Sequence, residues 1–325
     1  MFLRNRTSLD VSLARGRITD DVAVVAVVVR VPLRIEDAGL VPPPEPLEAR
    51  ETDPPARVAL APVWHGVSVT AAGHASGPPS PPFVCPVIFR VGDVERRLIV
   101  FGERCWERRF GGSLEASPAA PFDRIALGFT RAFGGGYDLP PGLLPGTDLP
   151  HPGLRVSYPL NADGVGYYPD ERAAVGAPLP SIERPDQLLK HWNDTPEPAG
   201  FTPCPDLVAW RTEHTPSPTP SLAADTARHL MRMRHHAPPP LIFDDVPAGT
   251  RIELLGLGQG PLRFAVPAAP TRITTVRTRM IDRDVAPRLR ALHVDADARA
   301  VRLVFAHAFH YEPQRPPEWI RVGDA

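Results

Sequence analysis

Proline restricts this chain more than any other residue, at 43 of 325 positions. Each one removes a backbone donor and breaks a helix interior, so an all-helical domain is excluded. Many short strands joined by Pro- and Gly-rich turns tolerate the same number. Hydrophobic residues make up 43% and charged residues only 22%, so wholesale disorder is excluded as well. The length allows a sizeable core, in one large β domain or two smaller ones.

Local patterns agree with that reading. Residues 21–35 (DVAVVAVVVRVPLRI) carry the first strong strand signal. Their apolar run, Val22–Val31, is far short of the ~20 residues a membrane helix needs. Arg57–Leu60 and His65–Ala72 also read as strands. Phe83–Phe89 and Glu95–Phe101 form a predicted hairpin through Val91-Gly92-Asp93. Asp138–Leu154 (DLPPGLLPGTDLPHPGL) holds few residues able to sustain regular structure, and the expectation is a surface loop. The best helix candidate is Ala223–His236, with Asp225 as its cap and Leu230 and Met233 on one apolar edge. The last third returns to strands, with hairpin turns predicted at residues 246–249 and 295–298.

The expected fold is therefore mainly β: antiparallel sandwich- or barrel-like sheets with long Pro/Gly-rich loops and one short helix. Residues 1–220 form an N-terminal β-rich region, and 221–325 add the helix and a C-terminal β region, unless the two are one continuous domain.

Several chemistries are disfavoured. A formal net charge of −1 and a pI near 6.8 argue against nucleic acid or an anionic membrane as the dominant partner. Cys85, Cys105 and Cys204 are odd in number and lack CxxC spacing, so reduced thiols are expected rather than a disulfide framework or a zinc site. Met1–Asp10 lacks the apolar core of a secretory signal, which makes a cytoplasmic protein the expectation. No GxSxG, HExxH or GxxxxGK[ST] motif occurs, and no cofactor is expected. The glycines of 256–260 lead into Pro261 and a strand, not a helix, which disfavours a dinucleotide cradle. His307 and His310 fall on opposite strand faces. His235 and His236 read as exposed or helix-capping, and nothing in spacing selects Ser68, His74 and Asp93 as a triad.

One stretch organises the rest. An alternating strand ends at Leu98-Ile99-Val100-Phe101 and is followed by Gly102-Glu103-Arg104-Cys105-Trp106. The planar fork of Arg104 suits several directional hydrogen bonds, either to hold a corner or to line a groove for a partner peptide. Trp106 suits both roles too. Further on, Ala132-Phe133-Gly134-Gly135-Gly136 allows positive φ and close backbone approach, which indicates a shaped corner. Asn161, Gly164, Gly166 and Tyr167 follow, then Leu179-Pro180-Ser181-Ile182-Glu183, then the run PAGFTP at 198–203.

In this order the motifs resemble the bacterial family catalogued as domain of unknown function 2169, over roughly Ala71 to Phe305. A family element of the form G-T-[YF]-D is replaced here by EHTPSPTPSL. The resemblance implies a non-enzymatic adaptor or chaperone of type VI secretion, binding an effector or a PAAR-type spike-tip protein. It marks Gly102, Glu103, Arg104, Trp106, Phe133, Gly134, Gly135, Asn161, Gly164, Gly166 and Tyr167 as partner-binding or motif positions. A β scaffold with exposed edges would take an extended partner segment by strand addition. The alternatives are a β-rich hydrolase using the carboxylates of Glu103, Asp123 and Asp163, and a structural protein of a phage-like injection particle.

Overall fold

The computed structural model describes residues 1–17, 21–43, 66–143, 148–203, 235, 237–277 and 280–324. The expected strand at Arg57–Leu60, all of the expected helix except His235, and Cys204 lie outside these residues. The chain is mainly β, as expected, and none of its sheets closes into a barrel.

The longest strand, Ala23–Glu36, is built from the valine-rich run and lies inside a seven-stranded sheet. On one side it pairs with Ala300–Tyr311 along nearly its whole length. On the other, Asp10–Arg17 covers Ala23 to Arg30 and Gly39–Val41 covers Arg34 to Glu36. Pro32 falls in the interval between these two neighbours, where a missing N–H leaves no second ladder incomplete. Val67–Ala72 runs parallel to Arg288–Asp295 in the same sheet and is buried throughout.

Against one face of this sheet lies a five-stranded antiparallel sheet. Its centre is the predicted hairpin, Val84–Val91 with Val94–Phe101, turning at Gly92 with φ +58°. Alternate residues of both sheets (Val25, Val27 and Val29 on one, Val87, Phe89, Leu98 and Val100 on the other) share a single core. A four-stranded sheet is ordered Phe2–Asn5, Trp319–Asp324, Thr271–Arg277, Met280–Val285 and adds Ile273, Ile320 and Val322 to that core.

All three large sheets mix strands from either side of residue 220, so the N- and C-terminal regions interleave. The turn at 295–298 does join paired strands. The turn at 246–249 does not: Ile242–Phe243 pairs with Val67–Ser68 in the seven-stranded sheet, while Arg251–Leu255 belongs to the five-stranded one. The hairpin partner of Arg251–Leu255 is Leu262–Ala265, across the glycine-rich turn at 256–260. The expected loop at 138–154 is in part a ribbon, with Gly136–Leu139 paired to Leu154–Ser157 and Gly142–Leu143 to Pro150–His151. The one α-helix among the described residues is a single turn, Glu171–Ala174, capped by Asp170, whose Oδ1 accepts from Ala173 N at 2.8 Å.

His307 sits half-buried on Ala300–Tyr311, its ring 4.7 Å from that of Phe309. Burial pushes its pKa down, and the positive charges of Arg283, Arg290 and Arg288 push the same way. The unfolded chain therefore binds this proton more readily than the native one. The resulting stability is present above the ordinary histidine pKa of about 6.5 and is lost as pH falls below it. The melting temperature should drop by a few degrees between pH 7.5 and pH 5.5, and His307→Gln should drop less. An identical drop in the variant would show that another group carries the effect.

Candidate functional site

Leaving the strand Val94–Phe101, the chain crosses a position that only glycine occupies: a Cβ on Gly102 would lie 1.8 Å from the carbonyl oxygen of Ala120. Glu103 then faces solvent and Arg104 turns inward. The Arg104 side chain is 8% exposed and forms an ion pair with Glu183, itself 2% exposed. Its Nη2 also donates to the carbonyl of Pro180 at 2.8 Å, and its guanidinium lies 3.7 Å over the centre of the Phe101 ring. The other oxygen of Glu183 accepts from the backbone N–H of Leu189 at 2.8 Å. One arginine thus ties the exit of a central strand to the short strand Ile182–Glu183 that pairs with it.

Trp106 is buried and centres a second small core with Leu114, Phe133, Leu179 and Leu189. Its backbone N–H donates to Ala177 and its carbonyl accepts from Gly176. Tyr158 and Tyr167 border this core, 5.5 Å apart by ring centre, with Tyr137 5.7 Å from Tyr167.

Beside it the two glycine motifs interlock around one buried amide. Asn161 Nδ2 donates to the carbonyls of Phe129 at 2.8 Å and Phe133 at 2.9 Å, and its own carbonyl accepts from Gly135 N at 2.8 Å. Gly134 has φ +151°, and a Cβ there would lie 2.1 Å from the Asn161 carbonyl oxygen. A Cβ on Gly164 would lie 2.3 Å from Asn161 Nδ2. Phe133–Gly134 and Val165–Gly166 then pair as a short parallel ladder, with Tyr167 N–H donating to Gly134. Ten of the eleven motif positions are used in this corner, the exception being the exposed side chain of Glu103.

Two open grooves flank the corner. The first, about 580 Å³, runs from Glu95–Leu98 past Arg184–Asp186 to Glu197–Phe201 and Pro238–Leu241. Its apolar wall includes five prolines, at 185, 198, 238, 239 and 240. Most of its charges are already matched: Glu95 holds Arg90 and Arg97, each at 2.5 Å, and Arg184 holds Asp186 at 2.6 Å, while among the described residues Arg96 meets backbone carbonyls only. Hydrogen bonds from those arginines keep the Glu95 and Asp186 carboxyls below the usual carboxylate range. Arg96 Nε donates to the carbonyl of Pro240 at 3.2 Å and so joins two walls. The second groove, about 570 Å³, is lined by Glu103, Arg104, Cys105, Arg131 and Leu179 among others.

Neither groove holds more than one of Glu103, Asp123 and Asp163, so they do not assemble those carboxylates. Among the described residues no group of three or more His, Cys, Asp or Glu is placed to hold a metal. Ser68 bonds His235, not His74, at 2.6 Å, and His74 bonds Asp297 at 2.6 Å. His235 is thereby corrected from an exposed residue to a buried one, because its ring serves the hydroxyl of an interior strand. The first groove escaped sequence reasoning: its lining comes from five separated places in the chain, and arginines and prolines carry no spacing signal.

Removing one partner of the buried pair should cost about 3–5 kcal/mol, because a charge is left without its counterion. Arg104→Met should show that loss in chemical denaturation. Arg104→Met with Glu183→Gln should recover much of it, since glutamine still accepts from Leu189. A single variant as stable as wild type would deny the pair its role.

A family model described as "uncharacterized protein conserved in bacteria (DUF2169)" matches residues 20–306. No curated protein and no solved structure matches the chain. The matched span takes in the whole corner, both grooves and most strands of the seven- and five-stranded sheets, and the chain belongs to the DUF2169 family of bacterial proteins.

Proposed function

We propose that the protein is a non-enzymatic adaptor or chaperone that binds an effector or a PAAR-type spike-tip protein for type VI secretion in the bacterial cytoplasm. The observation that carries this reading is the proline-walled groove between Arg96 and Arg184. Its apolar surface is rigid, since proline has little conformational freedom left to lose on binding. Its Glu95 and Asp186 carboxylates are held ionised by arginine, which suits a fixed polar rim and not a general acid. Such a groove fits an extended segment of a partner, docked by backbone and apolar contacts.

Sheet edges add to this. Among the described residues Leu262–Ala265 ends the five-stranded sheet and Met280–Val285 the four-stranded one, so each offers an edge row of backbone groups for strand addition. Trp106, by contrast, is interior, and its truncation tests stability first.

The deciding experiment is affinity capture from the native bacterium followed by mass spectrometry. Wild type should recover a spike-tip or toxin-like protein. Pro239→Glu, on the exposed groove wall, should lower that recovery about tenfold, the scale of a lost interface contact of ~1.4 kcal/mol. Deleting the partner's N-terminal segment should abolish it. Recovery of no such protein would defeat the adaptor reading, and full binding after the deletion would defeat the extended-segment mechanism.

A further inference from the structure

The four-stranded sheet has one face in the core and one outside. On the outer face the register places Phe2 beside Trp319, Trp319 beside Val276 and Val276 beside Ile281 in one row; Val276 in the middle is buried at 2% exposure and Trp319 is half-buried. Both ends of the row are open to solvent, Phe2 at 75% and Ile281 at 66% exposure. Two residues along the strands, Arg4 lies directly beside Arg321. Their guanidinium carbons lie over the Trp319 ring, 4.8 and 5.7 Å from its centre.

Like charges directly opposite on neighbouring strands are destabilising. Some exposed arginines are paired, Arg272 on the same sheet with Asp284 at 3.3 Å and Arg263 with Glu253 at 2.6 Å. Among the described residues neither Arg4 nor Arg321 has a carboxylate within ion-pair distance. A guanidinium pair without a carboxylate, held over an indole beside the exposed side chains of Phe2 and Ile281, is an unfilled site for a carboxylate.

We infer that this face docks an acidic segment of a protein partner, seating an apolar side chain on the Phe2–Trp319–Ile281 row and a carboxylate between Arg4 and Arg321. The two rows are two residues apart along the strands, about 6.6–7 Å. An extended segment with an apolar residue at one position and Glu or Asp two residues later meets both on one face. The partner's identity rests on the adaptor reading; the chemistry of the surface does not.

The probe is a fluorescein-labelled dodecapeptide, Leu-Ser-Glu-Ser repeated three times, followed by anisotropy against the full chain. It should bind saturably and weaken with added salt. Arg4→Ala with Arg321→Ala should weaken it at least tenfold, and Ile281→Asp should weaken it too. Arg4→Glu with Arg321→Glu should instead prefer the same peptide with lysine for glutamate, which also shows that the altered face is folded. Absence of saturable binding, equal binding by the alanine variant, or equal binding of the lysine peptide to wild type would overturn the inference. So would phosphatidylserine vesicles binding through the two arginines while the peptide does not. If the alanine variant still captures the native partner fully, this face fails as its docking site and the adaptor reading stands. If capture from the bacterium is empty but the peptide behaves as stated, the reverse holds.

Discussion

The buried pair of Arg104 and Glu183 is the interaction on which the rest of the described architecture depends. A guanidinium and a carboxylate withdrawn this far from water are expensive to desolvate, and their attraction offsets that cost only when the remaining donors and acceptors are also met. Here Pro180 and Leu189 supply most of those contacts, and the Phe101 ring covers the guanidinium face. Arg104 Nε has no partner among the described residues, so part of that desolvation cost stays unmet. The geometry of the pair is specific to arginine. Replacing arginine by lysine would keep the charge and lose the planar fork that reaches Glu183 and Pro180 together.

From this pair the neighbouring motifs acquire their spacing. Glu183 lies on the short strand that edges the five-stranded sheet, and Ser181 N–H on the approach to it donates to Arg131, immediately before the Phe133 corner. The corner in turn needs Gly134 and Gly164, because the amide of Asn161 fills the space where their side chains would be. Sequence elements separated by up to 81 positions, from Gly102 to Glu183, therefore meet as one object. A change in any one disturbs the fit of the others, which gives the collinear set a structural origin separate from partner binding.

What was legible in the sequence follows the range of the forces involved. The continuous apolar run at the start of 23–36 and the alternation over 84–101 reflect burial against a core, a property of each strand alone, and those strands were identified within a residue or two. Gly92 marked its hairpin because a tight turn there needs positive φ. Pairing between distant strands has no local signature. Val67–Ala72 beside Arg288–Asp295 could not be read from either segment, nor could the sheet change after Phe243. The same holds for His235, whose burial depends on Ser68, 167 residues away. In the corner the residue types were recognisable and their partners were not: a fork-shaped donor and permissive glycines announce close contact without saying with what.

The distribution of charge separates the frame from its working surfaces. In the corner a single ion pair is enclosed, so salt and solvent have little purchase on it. In the proline-walled groove the charges are numerous and most are paired with one another, which leaves apolar shape as the main basis for recognition there. On the outer face of the four-stranded sheet the balance is reversed, with Phe2 and Ile281 exposed and two guanidiniums that lack counterions among the described residues. A partner that used both regions would gain affinity from the groove and orientation from the arginines, because rim charges act mainly on encounter and register. The rigid corner would hold the groove in a constant shape throughout, so that little ordering entropy is charged against binding.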